Sequence, residues 1–166
     1  GATIQWASLS DASGSSLVVN VDADRRFVGA SFDGAGSVLE VEPMASDWDM
    51  VFTTYTETFF IPDAVAYSVT GVLGQRGRTS VALDTVIGFA NLDLEDAMAM
   101  SYSDDEDAIG YAWKTLDFST FLFEVDTSMV YVVQTGSDGT YKLRFTDFYS
   151  QTGTRGVPSF QYQRLD

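Results

Sequence analysis

Short segments rich in β-branched and aromatic residues follow one another through most of the chain. Each is cut off by turn chemistry before a helix of ordinary length could complete itself. They read SLVVNVDA (16–23), RRFVGASF (25–32), SVLEVE (37–42), DWDMVFTTYT (47–56), AYSVTGVL (66–73), TSVALD (79–84), FLFEV (121–125), MVYVVQT (129–135), YKLRFTDF (141–148) and SFQYQRL (159–165). The breaks DGAG at 33, GQRG at 74, GSDG at 136 and QTGTRG at 151 supply the Gly and Asp that tight connections need. This pattern predicts an all-β, antiparallel two-sheet, sandwich-like fold. Only ANLDLEDAMAM (90–100) has helical spacing, in Leu92, Leu94, Ala97 and Met98, and it predicts one or two short turns at most. With no linker, repeat or low-complexity tract, residues 1–166 read as a single domain.

In the C-terminal part, Tyr141, Leu143 and Phe145 alternate with Lys142, Arg144 and Thr146, and Phe160 and Tyr162 alternate with Ser159, Gln161 and Gln163. Each segment therefore has one apolar and one polar face, and the two are expected to pair as antiparallel neighbours with their rings in the core. Trp48 is expected in that core as well, and Arg144 and Arg164 are expected to satisfy nearby carboxylates.

A chain of 166 residues is long enough to bury about 70% of its unfolded surface, so a core can form without cross-links. Cys is absent, which excludes disulfides, thiolate metal sites and a cysteine nucleophile. His is absent too, and with it the commonest general base, the commonest transition-metal ligand and any Ser-His-Asp arrangement. The paired carboxylates Asp47 and Asp49 share a strand face, but nothing around them suggests a substrate groove. The chain reads as a binding protein and not as an enzyme.

Charge narrows the partners. The 24 acids, 18 Asp and 6 Glu, face 9 bases, for a net charge of −15. Such a chain repels phosphate backbones, so no nucleic acid is expected as a partner. An Asp-rich, Lys-poor surface fits adaptation to high salt, where self-repulsion is screened, and it also fits an ordinary acidic extracytoplasmic protein. No run of about 18 apolar residues is present, so no transmembrane helix is expected. GATIQWASLS lacks the basic-then-apolar pattern of a signal peptide. Between Asp93 and Asp107 lie seven acids and no base, and this segment lacks the spaced Asp/Asn-Gly pattern of a calcium-binding EF-hand.

Four stretches, SDWDMVFTTYT (46–56), YSVTGVLG (67–74), AIGYAWKTLDF (108–118) and VYVVQTGSDGTYKLRFTDFYSQTGTRGVPSFQYQRL (130–165), occur in an order that closely resembles the HmuY-like proteins of Bacteroidetes-type bacteria. The most specific pieces are Trp48-Asp49 before an apolar strand and the C-terminal YKLRFTDFY…PSFQYQ. The resemblance runs from about Phe27 to Leu165 and is weak between Val81 and Met100. It implies an all-β exported protein, a lipoprotein held at the outer membrane and cell surface through a lipidated N-terminal Cys. Such a protein captures haem, or another small hydrophobic ligand, for a TonB-dependent receptor.

The best-known members of that family hold haem iron through two His side chains, and this chain has none. Some relatives use Met, a soft ligand that favours reduced iron. The resemblance thereby points to Met98 and Met100 as candidate metal ligands, since they lie in the weakly matching stretch where family ligands tend to fall. Tyr102 is the nearest phenolate alternative, and Arg76 and Arg78 are candidates for pairing with the propionates. Met50 and Met129 are expected in the core. The competing reading is a surface interaction or glycan-binding module without a haem site, with Tyr55, Tyr102 and Tyr111 as its aromatic platform.

Overall fold

The computed structural model describes all residues except Gly1, Leu9, Ser10, Val21, Asp22, Ile61, Ser137, Asp138 and Asp166. Val21 and Asp22 of the predicted strand at 16–23, and Ser137 and Asp138 of the predicted turn at 136, lie outside the described residues. The chain forms two compact units, Gly1–Trp48 and Asp49–Asp166.

The first unit contains β1 (Ala2–Ser8), β2 (Asp11–Val19), β3 (Val28–Ser31), β4 (Ser37–Glu40) and a single 3-10 turn at Ala45–Asp47. The pairs β1–β2 and β3–β4 are antiparallel ribbons. In the second, gly-punctuated β-hairpin, the Gly36 amide donates to Asp33 O across the DGAG turn, as the Asp and Gly there require.

The second unit contains β5 (Met50–Phe60), β6 (Ala64–Gly74), β7 (Thr79–Asp84), a helix α1 (Leu94–Met98), β8 (Lys114–Asp117), β9 (Leu122–Val125), β10 (Val130–Thr135), β11 (Gly139–Tyr149) and β12 (Arg155–Leu165). All described strand pairs are antiparallel, and the all-β plan holds. Hydrogen bonding divides the described strands among one four-stranded sheet, ordered β12-β11-β10-β7, and four two-stranded ribbons.

The inner part of the four-stranded sheet, around β10, is buried on both faces, and the parity of its residues shows how. Val81, Tyr131, Val133, Leu143 and Phe145 face one cluster, completed by Val72, Ile109, Trp113 and Phe148. Ala82, Val130, Val132 and Leu165 face the other, under Leu92 and Ala97. Because β10 is an inner strand, its alternate residues fill both clusters, which is why VYVV (130–133) is a continuous apolar run and does not alternate. Met50 and Met129 pack half-buried against the first cluster, as expected.

On β11 the register shifts between Phe145 and Asp147 and again between Asp147 and Tyr149. The Asp147 carboxylate accepts the amides of Phe148 and Tyr149 at 2.7 and 2.9 Å and pins this bulge. The extra residue turns Phe148 onto the same face as Phe145. Both rings then meet Trp113, which stacks on Phe145 with centroids 4.0 Å apart and meets Phe148 edge-on at 5.7 Å.

The expected pairing of the two C-terminal strands is present, with Phe145 opposite Phe160 and Leu143 opposite Tyr162. Their burial differs from expectation. Phe145 is 1% exposed, whereas Phe160 is 37% and Tyr162 68% exposed. The reason is position: β12 is an edge strand, so its rings share the apolar face but have a neighbouring strand on one side alone. Arg144 also departs from expectation, since its guanidinium donates to Gln161 Oε1 at 2.9 and 3.0 Å and not to a carboxylate. No helix among the described residues is long and apolar enough to cross a membrane.

Candidate functional site

The stretch that follows β7 carries most of the predicted ligands, and Asp84 organises its start. The buried Asp84 carboxylate accepts the amides of Val86, Ile87 and Gly88 at 3.0, 2.9 and 2.7 Å. Burial alone would raise its pKa, but the three amides outweigh that cost and hold it below the usual carboxylate value. The turn so formed delivers Leu92 to the sheet and leads into α1. Asp93 caps the helix through a reciprocal box, accepting the Asp96 amide at 3.0 Å while Asp96 accepts the Asp93 amide at 3.2 Å. The helix ends after five residues because the chain returns to the sheet, where Ser103 bridges to Val81.

These local constraints place the predicted ligands differently from one another. Met98 is 75% exposed at the end of α1. Met100 and Tyr102 instead pack half-buried against the second core cluster, beside Ile87, Phe89 and Leu94. The Tyr102 hydroxyl donates to Ala97 O at 2.9 Å. Burial raises its pKa, with a bond to the Gln134 side chain acting the other way, so the phenol stays protonated at neutral pH.

Arg76 and Arg78 lie on the turn between β6 and β7, each paired with a carboxylate. Arg78 Nε donates to Asp49 Oδ1 at 3.0 Å, and Arg76 Nε lies 3.6 Å from Glu106 Oε1. Asp49 is also fastened by its backbone, whose carbonyl accepts the Gln75 amide and the Thr79 hydroxyl. The structure thus gathers Met98, Met100 and Tyr102 around α1 and places the two arginines in separate ion pairs at the turn. Five of the seven acids of the 93–107 segment serve local structure: Asp93 and Asp96 in their box, Asp104 accepting from Ser80, Asp105 accepting from Ser103 and Glu106 facing Arg76. Among the described residues no group of three or more His, Cys, Asp or Glu side chains is placed to hold a metal ion.

A cavity of about 180 Å³ opens in the same unit, lined by Tyr55 and Glu57 of β5, Asp107, Tyr111, Met129 and Tyr131 among others. Its backbone is built by close approach. Gly110, at φ +58°, exchanges hydrogen bonds with Val72 at 2.9 and 3.1 Å, and a Cβ on Gly71 would sit 2.6 Å from Gly110 O and 2.9 Å from the Tyr55 ring. The glycines therefore make room for Tyr55. Its hydroxyl is buried with no hydrogen-bond partner, and its pKa is pushed up to about 12 by burial first and then by the charges of Asp107 and Glu57. Burial and then Glu57 also raise Tyr111, and burial followed by Asp126 pushes Tyr131 up to about 12. At about 180 Å³ the cavity is smaller than the roughly 300–1,000 Å³ of pockets that enclose drug-sized ligands, and it cannot enclose a tetrapyrrole. Sequence alone could flag the tyrosines but not their convergence, because they come from three separate stretches.

Nor does the sequence flag Lys114, which is 7% exposed. Its ammonium donates to Thr70 O and lies 4.4 Å from the Trp113 ring centre and 4.9 Å from that of Phe148. Burial, with a smaller contribution from Arg155, lowers its pKa to about 8.

Compared with known protein families, the chain matches the family model described as HmuY protein over residues 29–162. No curated protein matches it, and no solved structure does.

Proposed function

Because the chain belongs to the HmuY family, we propose that it is an exported, non-catalytic binding protein that captures haem or a related tetrapyrrole and passes it to a TonB-dependent outer-membrane receptor. The observation that carries this reading is the family match, which spans 29–162 and supports a haem-binding kind of protein. Attachment to the cell surface as a lipoprotein belongs to the same reading and rests on the same membership.

The residues on hand fit a tetrapyrrole in one respect. Met98 presents an exposed thioether at the end of α1, and Val86, 90% exposed, is an apolar side chain in the loop before α1. When bound there, haem would supply an iron centre that a soft thioether can ligate. Met98, at the end of α1, would hold it. Tyr102 contributes little as a phenolate, because burial keeps it protonated and its hydroxyl is engaged. Met100 would have to leave its packing to ligate. Arg76, 80% exposed in a long pair with Glu106, is freer to turn to a propionate than Arg78 on Asp49.

A second reading, an interaction or glycan-binding module, is favoured by a different surface from the one the sequence suggested. Tyr55 and Tyr111 line the cavity while Tyr102 packs against another cluster, so the three do not form one platform. Phe52 and Phe160 stack with centroids 5.5 Å apart, and Tyr162 continues the row at 6.1 Å from Phe160.

Titration of ferric and ferrous haem, followed in the Soret band, separates the two readings. Thioether ligation predicts tighter binding on reduction, and weaker ferrous binding for Met98→Ala than for Met100→Ala. No saturable spectral change in either redox state would retire haem and leave the aromatic row as the better guide to function.

A further inference from the structure

The cavity beneath Tyr55 does not enter the haem reading and stands apart from it. Two features define what it would take. Its charged lining residues, Glu57 and Asp107, are both acids. Its lining also includes Met129 and three tyrosines, of which Tyr131 is 1% exposed, so that Tyr55 and Tyr111 form the accessible aromatic wall.

The rings are held in place before any ligand arrives. Tyr55 is wedged against Gly71 and Gly110, Tyr111 meets Phe59 edge-on at 5.7 Å, and Tyr131 meets Phe145 edge-on at 6.0 Å. A preorganised aromatic wall costs little to bind against. Aromatic faces beside carboxylates attract organic cations, and quaternary ammonium groups most characteristically. Anions are disfavoured here by the two carboxylates in the lining. Size limits the choice further: at about 180 Å³ the cavity is below the roughly 300–1,000 Å³ of pockets for drug-sized ligands, so its ligand is small.

We propose that this cavity is a binding site for a small quaternary ammonium ion such as choline. The trimethylammonium group would rest against Tyr55 and Tyr111 between Glu57 and Asp107.

The test is a nitrogen-15 NMR titration of the full chain with choline chloride. Two controls run in parallel: NaCl at matched ionic strength, and 3,3-dimethylbutan-1-ol, the uncharged isostere of choline. The expected result is a saturable shift of the Tyr111, Ala112 and Met129 amides with choline, at least tenfold weaker with the isostere and absent with NaCl. Glu57→Gln, checked for an unchanged melting temperature, should weaken choline at least fivefold, and Asp107→Asn serves in its place if Glu57→Gln alters the fold. Equal binding of the neutral isostere, equal shifts with NaCl, or no saturable shift at these amides would overturn the proposal. Because the readout is local to the cavity, the outcome is independent of whether haem binds.

Discussion

At the scale of single residues the strongest physical signature is Lys114, a buried ammonium whose described contacts are carbonyl oxygens and aromatic faces, with no carboxylate among them. Below pH 8 it is charged in both the folded and the unfolded chain, and the cost of burying that charge is fully present. Between about 8 and its ordinary 10.5 the folded protein has shed the proton while the unfolded chain keeps it. The unfolded state then binds more protons, so stability rises with pH through this window, by about 3 kcal/mol if the whole shift is realised. Tyr55 and Tyr131, pushed up to about 12, act in the opposite sense above pH 10, because the unfolded phenols ionise first. Chemical denaturation at pH 7.5, 8.5 and 9.5 should therefore show rising stability in the wild type, and Lys114→Met should abolish the rise. A wild type whose stability is flat over that range would mean that Lys114 keeps an ordinary pKa.

At the scale of elements, two paired phenylalanines on adjacent strands should behave differently on truncation. Phe145 sits under Trp113 in the centre of a cluster, and Phe145→Ala should cost about 3–5 kcal/mol. Phe160, opposite it on the edge strand, keeps part of its ring in solvent, and Phe160→Ala should cost no more than about 2 kcal/mol. Urea melts of the two variants decide the point, and equal losses would show that β12 is as enclosed as β11. The same pair marks how far the sequence could be read. Alternation placed β7 at 79–84 and located the β11–β12 pairing, because period two and turn residues are local signals. It missed β1, although Ala2, Ile4 and Trp6 alternate there with Thr3 and Gln5, and β8, where KTLD conceals a lysine that only tertiary packing buries. It also equated a ring on the apolar face with a ring in the core, whereas burial depends on strand order, which alternation does not carry. The candidate ligands followed the same rule: Met98, Met100 and Tyr102 were visible as a local cluster, but which of them a helix of five residues would turn outward was not.

At the scale of the whole molecule the governing quantity is the excess of 24 acids over 9 bases. The bases neutralise less than their number suggests. Lys114 and Lys142 are buried on the carbonyls of Thr70 and Leu92, and Arg144 donates to the amide side chain of Gln161. Each acid released from pairing in this way adds to self-repulsion, which disfavours the compact chain. Repulsion between exposed charges acts over about 10 Å at 0.1 M salt and about 3 Å at 1 M, so added NaCl removes most of it. The surface ion pairs lose strength as well, but exposed pairs such as Arg76–Glu106 contribute little to begin with. Burial of Lys114 is governed by desolvation, which salt barely alters. The balance therefore favours a melting temperature that rises between about 0.1 M and 1 M NaCl and levels off as the screening length falls below the spacing of neighbouring carboxylates. Equimolar KCl should reproduce the rise, since screening depends on ionic strength and not on the cation. A melting temperature that stays flat or falls would show that the acid excess is spread too widely to strain the fold, and would remove the case for adaptation to high salt.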